Sequence, residues 1–243
     1  MSGPYEPHGH AALKDGKITG YWRPMVYHGP DPMAYVMRLW SMSQDIYYMD
    51  FLMDGLSPIS RFLSARGHKA TPYYTQVIDL TLPTEKLRRG LRKSYKSLVN
   101  KDIMVNTMFD TGAYQSLHES IRGVTRPQET WDIQNRMIWQ RQAFCLTQTH
   151  FLHPHNPLPS NVVTDAGLIV YYNKDAAYYA SGCSTVDSHA LMWEAILKAK
   201  RIGCKRFEMG EQVYGDDKLA NISKFKRGFG GRTEVRLILR KEE

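Results

Sequence analysis

Leu87, Leu91, Tyr95 and Leu98 recur at steps of four, four and three, the spacing of one helix face. The chain from Thr84 to about Asn100 is therefore predicted to be one helix, with Thr84 at its cap. Lys86, Arg88, Arg89, Arg92, Lys93 and Lys96 lie around its other sides, since successive side chains turn by about 100°. Tyr74–Leu80 alternates and reads as a strand, as does Ile103–Phe109. Gly112–Arg122 and Pro127–Arg141 read as helices. Phe144–Phe151 is a strand, and Val162–Tyr172 and Ala176–Gly182 form a hairpin across Asn173-Lys174-Asp175. Ser188 is placed to cap a helix that buries Leu191, Met192, Ala195, Ala199 and Ile202 and stops at Gly203. Arg206–Met209 is a short strand, Asp217–Lys226 a helix, and Thr233–Leu239 a last strand with Val235, Leu237 and Leu239 inward.

Before these elements the pattern is weaker. Residues 1–32 are rich in Gly, Pro and His and are expected to be an irregular lead-in, with Tyr21, Trp22 and Tyr27 available for packing. Met33–Ser43 and Ser57–Gly67 read as short helices, and Ile46–Met53 as a strand. No Pro/Gly linker separates two halves, so one α/β body is expected.

Composition narrows the class. The 243 residues are 42% hydrophobic, 23% charged and 12% aromatic, which suits a folded globular chain and not a disordered one. No apolar run approaches the roughly 20 residues that span a bilayer, and Met1–Gly20 has no apolar core of a secretory signal. Cys145, Cys183 and Cys204 have no paired spacing, so thiols in a reducing cytoplasm are expected.

Charge adds a partner. The formal net charge is +8, and it is clustered: Glu85–Lys101 carries +6, Lys198–Arg206 +5 and Lys218–Glu243 +5. Such stretches favour a polyanion such as RNA, a nucleotide or anionic lipid, although solvated helix faces give the same pattern.

The hairpin–helix–strand–helix–strand order after residue 162 is that of a GNAT-type acyltransferase core. Within it stand Ala190-Leu191-Met192-Trp193-Glu194-Ala195-Ile196, Phe207-Glu208-Met209-Gly210 and Phe225-Lys226-Arg227-Gly228-Phe229-Gly230. The last, an Phe-Lys-x-x-Phe-Gly element between a helix and the final strand, resembles the C-terminal half of the Fem family, the FemA, FemB and FemX aminoacyltransferases and their shorter relatives. The likeness covers roughly residues 75–240 and is firmest over the last 80.

The resemblance implies an α/β fold with a GNAT-like, mainly antiparallel mixed sheet flanked by helices. It also suggests a pseudo-duplication, with residues 33–141 an abbreviated first half and 142–243 the acyltransferase core. It implies transfer of an amino acid from aminoacyl-tRNA to an amine of a small peptide, nucleotide sugar or peptidoglycan precursor, with no cofactor beyond that co-substrate. Lys226 matches the family lysine near the reacting ester and Phe225 the aromatic beside it. Lys224 and Arg227 are neighbours able to hold phosphate. Arg89, Arg92, Lys93 and Lys96 would track tRNA phosphates.

Three further groups carry chemistry. His118 and Glu119 can move a proton, Arg126 can hold a carboxylate or phosphate, and Trp131 offers a stacking face. A satisfied helix histidine and a core tryptophan read equally well. Glu211 ends a strand, where α/β sheets place site residues, and is a candidate base. His150, His153 and His155 lie in a Pro-rich stretch without a partner ligand at useful spacing, and no metal is expected.

One departure separates donors. Acetyl-CoA-dependent GNAT enzymes place a glycine-rich pyrophosphate loop before the helix that follows the hairpin. Here the loop is Cys183-Ser184-Thr185-Val186-Asp187-Ser188, without a glycine pair and with an acid. An acyl-CoA-dependent transferase acting on an amino sugar is thus the second reading, and a non-catalytic RNA-binding module the third.

Overall fold

The computed structural model describes residues 11–14, 17–20, 32–50, 55–152, 162–173, 175–215 and 217–241. In chain order the elements are β1 (Ala11–Lys14), β2 (Lys17–Gly20), α1 (Pro32–Met42), β3 (Asp45–Asp50), α2 (Pro58–Ser64) and β4 (His68–Asp79). Then come α3 (Thr84–Gly90), α4 (Tyr95–Leu98), β5 (Met104–Met108), α5 (Gly112–Arg122), α6 (Gln128–Trp139) and β6 (Ala143–Phe151). The chain closes with β7 (Val162–Tyr172), β8 (Ala176–Ser184), α7 (His189–Ile202), β9 (Arg206–Glu211), α8 (Lys218–Arg227) and β10 (Arg232–Lys241). Two strands, β1 and β2, fall inside the segment expected to be irregular, whereas Tyr21, Trp22 and Tyr27 lie outside the described residues.

The chain forms two compact units with interleaved sequence. The first takes residues 1–75, 211–213 and 233–243, and the second takes 76–210 and 214–232. The last strand thus returns to the first unit.

In the first unit the strand order is β1-β2-β3-β10-β4. β1 pairs antiparallel with β2, β2 parallel with β3, and β10 antiparallel with β3. Val36 and Leu39 of α1 and Ile59 and Leu63 of α2 bury against Ile46 and Leu239. Asp50 is buried and accepts from the Ser57 N–H at 2.9 Å and the Ser60 hydroxyl at 2.5 Å, so its charge anchors the start of α2. The inward alternation expected for Val235, Leu237 and Leu239 fails at its first member. Val235 is exposed, and Arg236 is buried with Nη1 donating to Glu234 Oε2 at 2.8 Å. A charged residue turns inward there because it brings its own counter-ion.

In the second unit the order is β4-β9-β8-β7-β6-β5. β5–β6, β6–β7 and β7–β8 are antiparallel and β8–β9 parallel, the crossover between the last two being α7. Leu191, Met192, Ala195, Ile196 and Ala199 of α7 bury against Leu168, Val170, Ala177 and Phe207 on one sheet face. α5 and α6 cover the other. There Tyr114 fills the space above Gly167, where a Cβ would lie 2.4 Å from the ring, and Gln134 donates to the Tyr171 hydroxyl at 2.9 Å. Gly203 stops α7 in the left-handed conformation, as expected. Ser188 is the cap residue but makes no side-chain cap bond; Asp187 Oδ1 accepts from the His189 N–H at 3.0 Å instead.

The expected helix over 84–100 is two pieces. Its first residue is Thr84, preceded by Pro83 as the cap, and it breaks after Gly90, where Leu91 is extended. The Arg92 N–H donates to the Gly228 carbonyl at 2.8 Å rather than back into the helix. Tertiary contact with the glycine-rich element thus takes the hydrogen bond that helical periodicity alone would assign inside the helix. The four spaced apolar positions still point inward: Leu87, Leu91 and Tyr95 are buried and Leu98 packs beside them.

Candidate active site

The site grows from an irregularity in β8. Ile169 of β7 faces Ser181, while Val170 faces Tyr179, so Ala180 is an extra residue and β8 bulges there. The parallel ladder to β9 registers Ala176, Ala177 and Tyr178 against Arg206, Phe207 and Glu208. Beyond it β8 runs on to Ser184. The bulge and the end of the ladder coincide, which lets side chains of β8 reach between the strands. Tyr178 and Ser181 flank the bulge and face the α5–α6 side, since they oppose Tyr171 and Ile169 in register.

Lys226 reaches this place from α8. A Cβ built on Gly210 of β9 would lie 3.3 Å from the Tyr178 hydroxyl and 3.5 Å from Lys226 Nζ. Gly210 has φ +79°, a conformation that suits glycine, so its bare Cα leaves room for both polar groups. The side chains around Lys226 diverge as helical geometry requires. Phe225 meets His189 at 5.0 Å and Phe229 at 5.2 Å between ring centroids. The Arg227 guanidinium lies 5.0 Å from the Tyr214 ring. Lys224 is exposed, and its carbonyl accepts from Arg92 Nη2 at 3.0 Å.

The glycines of the Phe-Lys-x-x-Phe-Gly element serve packing within the chain. Cβ atoms on Gly228, Gly230 and Gly231 would lie 2.1 Å from the Tyr95 ring, 2.9 Å from the Gly90 carbonyl oxygen and 2.1 Å from the Val77 carbonyl oxygen. The element is thereby pressed onto the break between α3 and α4, which fixes the end of α8 and with it Lys226.

The second constellation also lands on β8. Arg126 Nη2 donates to Ser181 Oγ at 2.6 Å, and the Tyr114 hydroxyl shares that oxygen at 2.6 Å. The Arg126 guanidinium lies 5.0 Å from the Trp131 ring, and His118 lies 5.5 Å from Trp131 and 6.0 Å from Tyr114 between centroids. His118 and Trp131 are buried. Burial, then the charges of Arg126 and Arg122, hold the His118 imidazole below its ordinary pKa. Glu119 turns aside and accepts from Gln115 Nε2 at 2.9 Å. The structure therefore gathers Lys226, Arg126, His118 and Trp131 around Tyr178–Ser181 of β8. Glu211 is exposed at the end of β9 and belongs to the first unit.

A third group was legible only as an acid in the loop. Asp187 lies between Lys101 Nζ, at 2.8 Å, and the His189 ring, whose Nδ1 meets Asp187 Oδ1. Burial pushes its carboxyl up, but Lys101, the His189 N–H and the His189 ring outweigh that and bring it down to about 2. His189 is enclosed by Tyr95 at 4.2 Å, Phe225 and Phe229. The dyad thus braces the aromatic side of the Lys226 turn.

The expected polyanion face is mostly exposed. Arg89, Lys93 and Lys96 are exposed, whereas the exposed Arg92 is tied to Gly228 and Lys224. His150 Nδ1 meets Asp165 Oδ2 at 2.6 Å; His153, His155 and Asp216 lie outside the described residues. Asp217 caps α8, accepting from the Ala220 N–H at 2.7 Å. No helix among the described residues is long and apolar enough to cross a membrane.

No protein-family model matches the chain, and no curated protein matches it in sequence. Solved structures do. FemX superposes with a TM-score of 0.66 at 11% identity over 98% of this chain and 85% of that one. L-PGS from Bacillus licheniformis gives 0.59 at 13% identity, over 95% and 79%. The C-terminal domain of a putative lysylphosphatidylglycerol synthetase from Agrobacterium fabrum gives 0.52 at 11% identity, over 99% and 85%. The chain adopts the Fem-like GNAT fold, a mixed, mainly antiparallel sheet flanked by helices.

Proposed function

We propose that the protein is an N-acyltransferase that takes an aminoacyl group from aminoacyl-tRNA and joins it to an amine. The observation that carries this reading is the approach of Lys226 Nζ and the Tyr178 hydroxyl to the same point above Gly210, beside the bulge of β8. An amine attacks the ester carbonyl carbon, the C–N bond forms, and negative charge develops on the carbonyl oxygen. The ester C–O bond then breaks, the amine proton is lost, and the ribose oxygen leaves protonated. A fixed ammonium and a phenolic O–H are suited to stabilise that developing charge. The proton can pass through the tRNA ribose, so no strong protein base is needed.

The fold shared with FemX supports acyl transfer. The charged surface of Arg89, Lys93 and Lys96 supports an RNA-borne donor. Asp187 supports the same choice over acyl-CoA. It is ionised at the start of α7 and already accepts the His189 N–H there, where a pyrophosphate would seek backbone donors.

The test is the affinity for charged against uncharged tRNA from one pool at fixed salt. Preference for the charged form is expected. Equal affinity, together with thermal stabilisation by an acyl-CoA, would move the donor to the thioester class.

A further inference from the structure

Three polar atoms beside Ser181 are buried without a hydrogen-bond partner: Arg126 Nη1, Trp131 Nε1 and His118 Nδ1. Trp131 is 1% exposed and His118 4%. Such orphans are rare in folded proteins, and here the Trp131 ring lies 5.0 Å from the Arg126 guanidinium and 5.5 Å from the His118 ring. Among the described residues none of the three donors is met by an acceptor. Arg126 has given Nη2 to Ser181, and Glu119 Oε1 serves Gln115; Gln134 of α6 gives Nε2 to Tyr171, and its Oε1 is likewise buried without a partner.

The chemistry of the three is one-sided. Guanidinium and indole nitrogens only donate, and a neutral imidazole donates from Nδ1 in one of its tautomers. Burial, then the charges of Arg126 and Arg122, disfavour the charged imidazole. Arg126 also brings a positive charge against the Trp131 ring, where an anion would complement it. The guanidinium edge and the indole N–H suit a flat two-oxygen anion.

We propose that Arg126, Trp131 and His118 form a carboxylate subsite, and that the acceptor is an amine bearing a carboxyl group. The word acceptor rests on the acyl-transfer reading; the carboxylate subsite does not. Ser181 and Tyr178 oppose Ile169 and Tyr171, two residues apart on β7, so about 7 Å of strand separates them at the usual rise. The reacting amine therefore sits several bonds from the carboxylate, as in a dipeptide or an ω-amino acid rather than an α-amino acid.

The test observes the Trp131 indole N–H by nitrogen-15 NMR in the full chain, its signal identified through Trp131→Phe. Glycylglycine should move that signal saturably, and its C-terminal amide should bind at least tenfold more weakly. Arg126→Gln should abolish the effect; if that variant does not fold, the peptide–amide contrast in the unaltered protein decides. Equal responses to peptide and amide, no response to either, or a response to inorganic phosphate in their place would overturn the subsite. The two readings fail separately. A carboxylate response without transfer to any carboxyl-bearing amine defeats acyl transfer and leaves the subsite. Equal transfer to acid and amide acceptors defeats the subsite and leaves acyl transfer.

Discussion

The ring of Tyr95 fills the space that a side chain on Gly228 would need, with Cε2 only 2.1 Å from the position of a Cβ. The Tyr95 hydroxyl also donates to the Phe225 carbonyl at 3.3 Å. One aromatic residue therefore holds the last turn of α8 by shape and by hydrogen bond. Lys226 is positioned by this contact as much as by its own helix.

Substitution at the two tightest glycines separates side-chain crowding from backbone crowding. Gly228→Ala pushes on a ring and should cost about 1–3 kcal/mol, the usual range for overpacking. Gly231→Ala meets the Val77 carbonyl at 2.1 Å and has φ +79°, so it should cost more. Urea midpoints at constant slope give the comparison. Equal stability of both variants and the parent would contradict the packing described for this element.

Lys226→Met keeps the length and apolar stem of the side chain while removing its charge. The thermal midpoint should hardly move, and turnover with charged tRNA should fall by about 10²–10³, the loss typical of one oxyanion donor. Tyr178→Phe should lower turnover less, since the ammonium remains. Unchanged kcat/KM in Lys226→Met would remove this residue from the chemistry.

Much of the second unit was legible because its signals are local. Gly112–Arg122 and Val162–Tyr172 are as expected to the residue, and Gly203 stops α7 where a left-handed glycine should. The break at Gly90–Leu91 was not legible, because it is set by Gly228 and Gly230, well over one hundred residues away in sequence. Arg126 and Trp131 were readable as binding candidates from their chemistry, whereas the bond from Arg126 to Ser181 needed the fold. Ser181 and Tyr178 were not, since the bulge at Ala180 leaves no mark in an alternating strand. Asp187 was legible only as an acid in the loop before α7; that its charge is held between Lys101 and His189 requires the fold.

Asp187 should make stability fall in acid. Its carboxyl is ionised down to about 2 in the folded chain, against an ordinary 3.8. A carboxylate depressed on folding contributes its stability above the unfolded value and loses it as pH falls from about 4 toward 2. The group is partly solvated, so the contribution is about 1 kcal/mol or less after screening. Asp187→Asn should therefore be less stable than the parent at pH 7, and the gap should narrow below about pH 4 and close only near 2. A gap that stays constant with pH would assign the loss to geometry and not to charge.

The basic surface should divide into contacts that bind RNA and one that holds the fold. Arg89, Lys93 and Lys96 are exposed and make phosphate contacts in the proposed complex. Replacing any one with Ala should lower tRNA affinity and reduce the salt slope by about 1, with stability unchanged. Arg92 is also exposed, but Nη2 donates to the Lys224 carbonyl and the guanidinium lies 5.2 Å from the Tyr95 ring. Arg92→Ala removes both contacts from the end of α8, so it should lower the melting temperature and disturb turnover through Lys226. The salt dependence of tRNA binding, measured beside denaturant midpoints for all four variants, separates the two roles. If Arg92→Ala changes only the salt slope, its bond to Lys224 contributes nothing to holding the Lys226 turn.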